Sequence, residues 1–139
     1  MMASTAVLIA SLLMAALPAD ASEPKPFAPR LVAGDHADRA KRGEFDAEAE
    51  IRCAQERGQE LSGCIARIAR GTDGSATVVV TFANGFSRRL TFTDGAFVRG
   101  NPTMSGSGRD VEWSLGDGAY RIRVDDQRYE LPEGFVLAR

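Results

Sequence analysis

A small all-β domain is the fold this sequence predicts, an antiparallel meander of about seven or eight short strands closing into a filled barrel or a two-sheet sandwich. Three observations predict it. From Ile51 onward, short apolar runs alternate with polar residues at the period of a half-buried strand. Gly-containing turns separate those runs at the spacing of successive hairpins. Asn84-Gly85 sits between two of them and is the strongest short hairpin signal, because both central residues of a type I′ turn need φ > 0.

Taken in order, the segment holding Cys53 is followed by a strand over 62–69, which carries Cys64 into the sheet and fastens it to Cys53. Ala76–Ala83 and Phe86–Thr93 flank Asn84-Gly85. Val78, Val80 and Phe82 share one face of the first strand, and Leu90 and Phe92 one face of the second, so these five are the expected core. Asp94-Gly95 turns the chain into Ala96–Arg99, which stops at Gly100-Asn101-Pro102. A loop of small and polar residues runs from Thr103 to Arg109. Val111, Trp113 and Leu115 then alternate, Gly116-Asp117-Gly118 turns, and Tyr120, Ile122 and Val124 alternate again. Asp125-Asp126 precedes a last strand, Gln127–Leu131, which Pro132 limits or places at an edge, and Phe135-Val136-Leu137 is expected to add one short pairing.

Upstream, residues 6–17 form an uncharged apolar run of 12, followed by Pro18 and the small-x-small pattern Ala19-Asp20-Ala21. Crossing a bilayer takes about 20 apolar residues, so residues 1–21 are read as a secretory signal peptide, with no membrane insertion after cleavage. The five residues before the run carry no Lys or Arg, a departure from the usual basic start. Residues 22–45 are read as a flexible tether: Pro24, Pro26 and Pro29 forbid helix, and the charged stretch that follows has few large apolar residues. His36, in that stretch, is expected to be a solvated bystander. Residues 46–139 are the folded domain.

Two Cys in an exported chain are expected to form one disulfide, Cys53–Cys64, at a spacing that suits a structural bridge better than a close redox pair. Such a loop contributes about 3 kcal/mol on the chain-entropy model.

The 139 residues carry 19 acidic and 17 basic side chains, for a net charge of -2 and a pI near 5.4, which argues against nucleic acid as partner. One His and two Cys are too few soft ligands for an ordinary zinc or haem site, so no metal or cofactor is expected. With the only His in the tether, a hydrolytic triad has no base, and no catalytic residue is assigned. Glu112, Asp117, Asp125, Asp126 and Glu130 read as solvated faces and turn formers. No phosphate-binding Gly loop or calcium loop is present. Two features point toward a partner. Arg88 and Arg89 on opposite faces of one strand join Arg99, Arg121 and Arg123 as an Arg-rich surface suited to anions, or else as polar strand faces paired with neighbouring carboxylates. The loop containing Ser105, Ser107 and Arg109 reads as a flexible tip able to enter another protein's cleft.

Ile51-Arg52-Cys53, Cys64 ten residues on, Ala66-Arg67, Ile68-Ala69-Arg70, the Ala76–Thr81 strand and the closing Arg128-Tyr129-Glu130-Leu131-Pro132 together resemble a group of small secreted bacterial proteins of uncharacterised function. By strand alternation Arg128 and Glu130 point outward while Tyr129 and Leu131 pack. Over a shorter stretch, Ser107-Gly108-Arg109, Trp113 and Gly116-Asp117-Gly118-Ala119 resemble the periplasmic inhibitors of C-type lysozyme, eight-stranded barrels. That resemblance implies that Ser107 and Arg109 enter the lysozyme cleft. The chain departs from it in lacking a Tyr soon after the Ser-Gly pair, a Lys before Gly116 and a C-terminal Cys.

The expectation is therefore a monomeric, periplasmic or secreted, non-enzymatic module of the bacterial cell envelope that binds another envelope protein or polymer. The alternatives are an inhibitor of a lysozyme-like hydrolase acting through the 105–109 loop, and a minimal carboxylate hydrolase, which predicts a bell-shaped pH profile.

Overall fold

The structure is a computed structural model and describes residues 35–138; the predicted signal peptide and the first part of the predicted tether lie outside these. Eight antiparallel strands follow one another: β1 (Ala47–Ala54), β2 (Ser62–Arg70), β3 (Ala76–Thr81), β4 (Ser87–Thr93), β5 (Ala96–Gly100), β6 (Val111–Gly116), β7 (Ala119–Val124) and β8 (Gln127–Pro132). They form one sheet in the order β5-β4-β3-β2-β1-β8-β7-β6, rolled into a nearly closed barrel. The five expected core residues, Val78, Val80, Phe82, Leu90 and Phe92, all lie in its interior with Ile68, Tyr120, Tyr129 and Leu131. Tyr129 and Leu131 are buried, as alternation requires, and Arg128 and Glu130 lie on the outer face.

Cys53 and Cys64 are bonded across β1 and β2. The register pairs Ile51 with Cys64 and Cys53 with Ser62, so the bridge runs diagonally on the inner face, with Cα atoms 6.0 Å apart. A stable disulfide belongs to a chain that folds outside the reducing cytosol. Among the described residues, no helix is long and apolar enough to cross a membrane.

Two hairpins show how turn chemistry fixes the strands. Asp94-Gly95 and Asp117-Gly118 have φ near +50° and +75°, the paired positive values of a type I′ turn. At Asn84-Gly85 only Gly85 is left-handed. Phe82 N–H donates to the Phe86 carbonyl and Gly85 N–H to the Phe82 carbonyl, so the connection is a three-residue loop closed by a Gly bulge rather than the predicted I′ turn.

Two short helices depart from expectation. Phe135–Leu137 does not pair as a strand but lies in α2 (Glu133–Leu137), folded back with Val136 buried. A short apolar run has no period by which to tell strand from helix. The predicted tether is not all tether: α1 (Asp35–Lys41) packs on the outer face of β2 and β3 with His36 and Ala40 buried. His36 Nδ1 hydrogen-bonds Thr77 Oγ1 at 2.9 Å, and burial holds its pKa below the usual imidazole range, helped by the Arg39 charge. Arg39 donates two hydrogen bonds to Asp46 and one to the Arg70 carbonyl, keeping the Asp46 carboxyl below its ordinary range.

Candidate functional site

The strand connections at 55–61, 83–86, 101–110 and 125–126 all lie at one end of the barrel, and a buried polar cluster sits beneath them. Its centre is Arg88. In β4 the inner face is set by Leu90 and Phe92, and Arg88 has the same parity, opposite Val80 of β3. The side chain is fully buried, so Arg88 is not part of the predicted Arg surface.

Inside, its guanidinium is almost fully satisfied. Nη2 donates to Asp125 Oδ2 at 2.7 Å and Nη1 to Gln127 Oε1 at 3.0 Å, while Nε and Nη2 both donate to the Asn101 carbonyl. Tyr129 donates to the same Gln127 oxygen at 2.7 Å. Desolvation raises the Tyr129 phenol pKa well above its ordinary value, so it remains a donor at any physiological pH. A charge removed from water is tolerable only with a close counter-charge and a full hydrogen-bond set, and Asp125, Asn101 and Gln127 supply both.

The second product of this cluster is the shape of the loop above it. Asp125 Oδ2 also accepts the Gly108 N–H at 3.1 Å, and Arg89 N–H donates to Asn101 Oδ1 at 2.7 Å. Gly100 N–H donates to the Gly108 carbonyl, and Thr103 and Gly106 exchange two backbone hydrogen bonds around a tip formed by Met104 and Ser105. Glycine is required twice here. A Cβ on Gly106 would strike the Asp125 carboxylate, and Gly108, at φ +78°, would strike the Gly100 carbonyl. The predicted flexible tip is therefore a small ordered hairpin held from below. Ser105, Ser107 and Arg109 are exposed on it, beside Met104, whose side chain is wholly in solvent.

The rest of the predicted Arg surface lies on outer faces and is not one patch. Arg89 is half-buried on β4 opposite Val79, and Arg99 is exposed on β5. Arg121 and Arg123 of β7 share the outer face of β6–β8 with Arg128, around a shallow concavity of about 380 Å³ lined also by Leu61, Glu112 and Glu130. Arg123 is paired with Asp110 at 3.1 Å and Glu112 at 3.6 Å. Arg121 donates only to the Gly116 carbonyl, and among the described residues it has no ion pair.

Of the candidate carboxylates, Asp125 is engaged by Arg88, Asp126 by Arg57 and Glu112 by Arg123. Among the described residues, no group of three His, Cys, Asp or Glu side chains is placed to hold a metal ion. Gln127 was missed as a site residue, and Asp125, a candidate carboxylate, was read as a solvated face or turn former and not as the partner of a buried Arg88. The parity of Gln127 with Tyr129 and Leu131 marks it as inward, whereas Asp125 sits in a turn, where parity carries no information.

Comparison with protein-family models, with curated proteins and with solved structures finds no match.

Proposed function

We propose that the chain is an exported, periplasmic or secreted, non-enzymatic β module of the bacterial cell envelope that binds another macromolecule through the 101–109 loop. The supporting observation is the anchoring of that loop. Burying an Arg–Asp pair contributes little net stability, because desolvation offsets the attraction. What the Arg88 cluster does supply is one fixed conformation for a surface loop with an apolar tip, Met104, and a cation, Arg109. An ordered loop binds with less entropy to lose than a mobile one.

A pull-down from envelope extract with the oxidised protein tests this. A specific partner retained by the native chain and lost on Met104→Ser or Arg109→Ala supports the reading. The same partners with all three proteins would sink it. The hydrolase-inhibitor reading has one observation in its favour, the joint exposure of Ser107 and Arg109 on the held loop. It predicts inhibition of lysozyme in a turbidity assay that Arg109→Ala abolishes.

A further inference from the structure

The sheet has two free edges, β5 and β6, with no ladder between them. β5 is short and its pairing with β4 shifts register between Thr91 and Phe92, and short length and bulges are ordinary protections of an edge. β6 has neither protection. It is six residues in an unbroken ladder with β7, it contains no Lys or Pro, and every residue from Glu112 to Gly116 is exposed.

Backbone geometry fixes which groups of β6 are unused. The two-residue turn makes Gly116 and Ala119 a hydrogen-bonded pair, and antiparallel alternation extends this to Ser114–Arg121 and Glu112–Arg123. The N–H and C=O groups of Val111, Trp113 and Leu115 therefore point away from β7. These three also carry the apolar face: they stand opposite Val124, Ile122 and Tyr120, yet Trp113 and Leu115 remain 40% and 41% exposed.

The residue pattern is symmetric about Trp113. Val111 and Leu115 are apolar on either side, and Glu112 and Ser114 are polar between. The geometry points to a second copy of this chain as the occupant, paired β6 to β6 across a two-fold axis at Trp113. In that register Trp113 faces its counterpart and Val111 faces Leu115 of the other copy. Glu112 faces Ser114 of the other copy, so apolar side chains meet on one face and polar ones on the other. The same register joins the unused backbone groups as hydrogen-bonded pairs, which is not guaranteed by side-chain matching alone. Charge agrees as well. Beyond the small Ser114 stands Arg121, which has no ion pair among the described residues, and the pairing brings Glu112 of the other copy, 3.6 Å from Arg123 of its own chain, within reach of both arginines. The two-fold thus completes a hydrogen-bond edge, an apolar stripe and an ion pair together, and a single extended sheet runs through both copies.

Trp113 is the only tryptophan of the chain, so its fluorescence reports this interface directly. Sedimentation equilibrium and Trp emission of the oxidised protein, followed over rising concentration, are expected to show a monomer–dimer equilibrium with emission moving to shorter wavelength in step with mass. Leu115→Pro removes one outward N–H without touching the β7 ladder, and is expected to weaken association about tenfold or more while circular dichroism stays native. Arg121→Glu is expected to weaken it severalfold. Trp113→Cys, under mild oxidation, is expected to give a covalent dimer, because the facing Cα atoms of such a pair stand about 5.5 Å apart. A protein that stays monomeric at every concentration overturns the proposal. So does a dimer that Leu115→Pro leaves intact. Trp113 emission that moves only on adding envelope extract also overturns it, and gives the edge to a foreign strand.

Discussion

Among the described residues, polar side chains are buried inside the barrel around Arg88 and outside it around His36, and these two clusters are built differently. Arg88 is met within hydrogen-bond distance by a carboxylate, a carbonyl and an amide. His36 is held by one hydroxyl hydrogen bond, and burial keeps it neutral. Beside it the Arg39–Asp46 pair is partly open to solvent, where screening reduces what an ion pair contributes. In the inner cluster Gln127 Nε2 goes unpartnered, but the buried Arg88 must keep its partners or the cluster is strongly unfavourable. The outer one adds a helix to a sheet that is already formed.

The largest expected effect comes from removing the inner charge. Arg88→Met takes the Arg88 hydrogen bonds from the partly buried Asp125 carboxylate and from the buried Gln127, and is expected to cost about 3–5 kcal/mol in urea unfolding. Amide exchange over 101–109 should rise at the same time. An unchanged loop would break the link between cluster and loop.

Next in size is the backbone beneath the loop. Gly108→Ala places a Cβ against the Gly100 carbonyl at a left-handed residue, with an expected loss of about 1–3 kcal/mol by thermal unfolding. His36→Ala removes a buried hydrogen bond and the packing of α1, an expected loss of about 1–2 kcal/mol. Here exchange should increase in α1 and leave 101–109 as it was, which sharpens the contrast between the two regions.

The smallest effect is acid sensitivity confined to the outer cluster. A released His36 takes its proton near 6.5 while the docked one resists it, so the unfolded chain binds more protons and stability falls as pH drops below 6.5. Asp46 acts in the same direction lower down: its carboxyl is held below the usual range by Arg39, and that contribution disappears as pH falls through its folded value. Exchange of α1 measured from pH 7 to 4 is expected to rise before that of β4. In His36→Gln the first part of the rise should be missing.

Much of the barrel was legible because a strand repeats every two residues. That period put Val78, Val80 and Phe82 inside, and it also marked Arg88 as inward, since Leu90 and Phe92 share its parity. The Arg residue type pointed to a surface and obscured this. α1 was not legible because what it buries is a His and an Ala, so no apolar stripe announces it. The loop's order was not legible either, because it depends on Asp125, which lies 17 residues beyond Gly108 in sequence. The seam between β5 and β6 follows from strand order, which alternation does not reveal.

The strand order also dictates a timetable. β1 through β5 are sequence neighbours and so are β6 through β8, and among the described residues the one ladder that joins the two groups pairs Arg52–Ala54 with Arg128–Glu130. A chain emerging from its N-terminus can assemble the first five strands, and the Cys53–Cys64 bridge with them, while Arg88 still has no Asp125 or Gln127 to receive it. That half carries an uncompensated charge on its inner face and stays incomplete. Closure waits for the last strand to return to the first, a long-range contact that is slow to form.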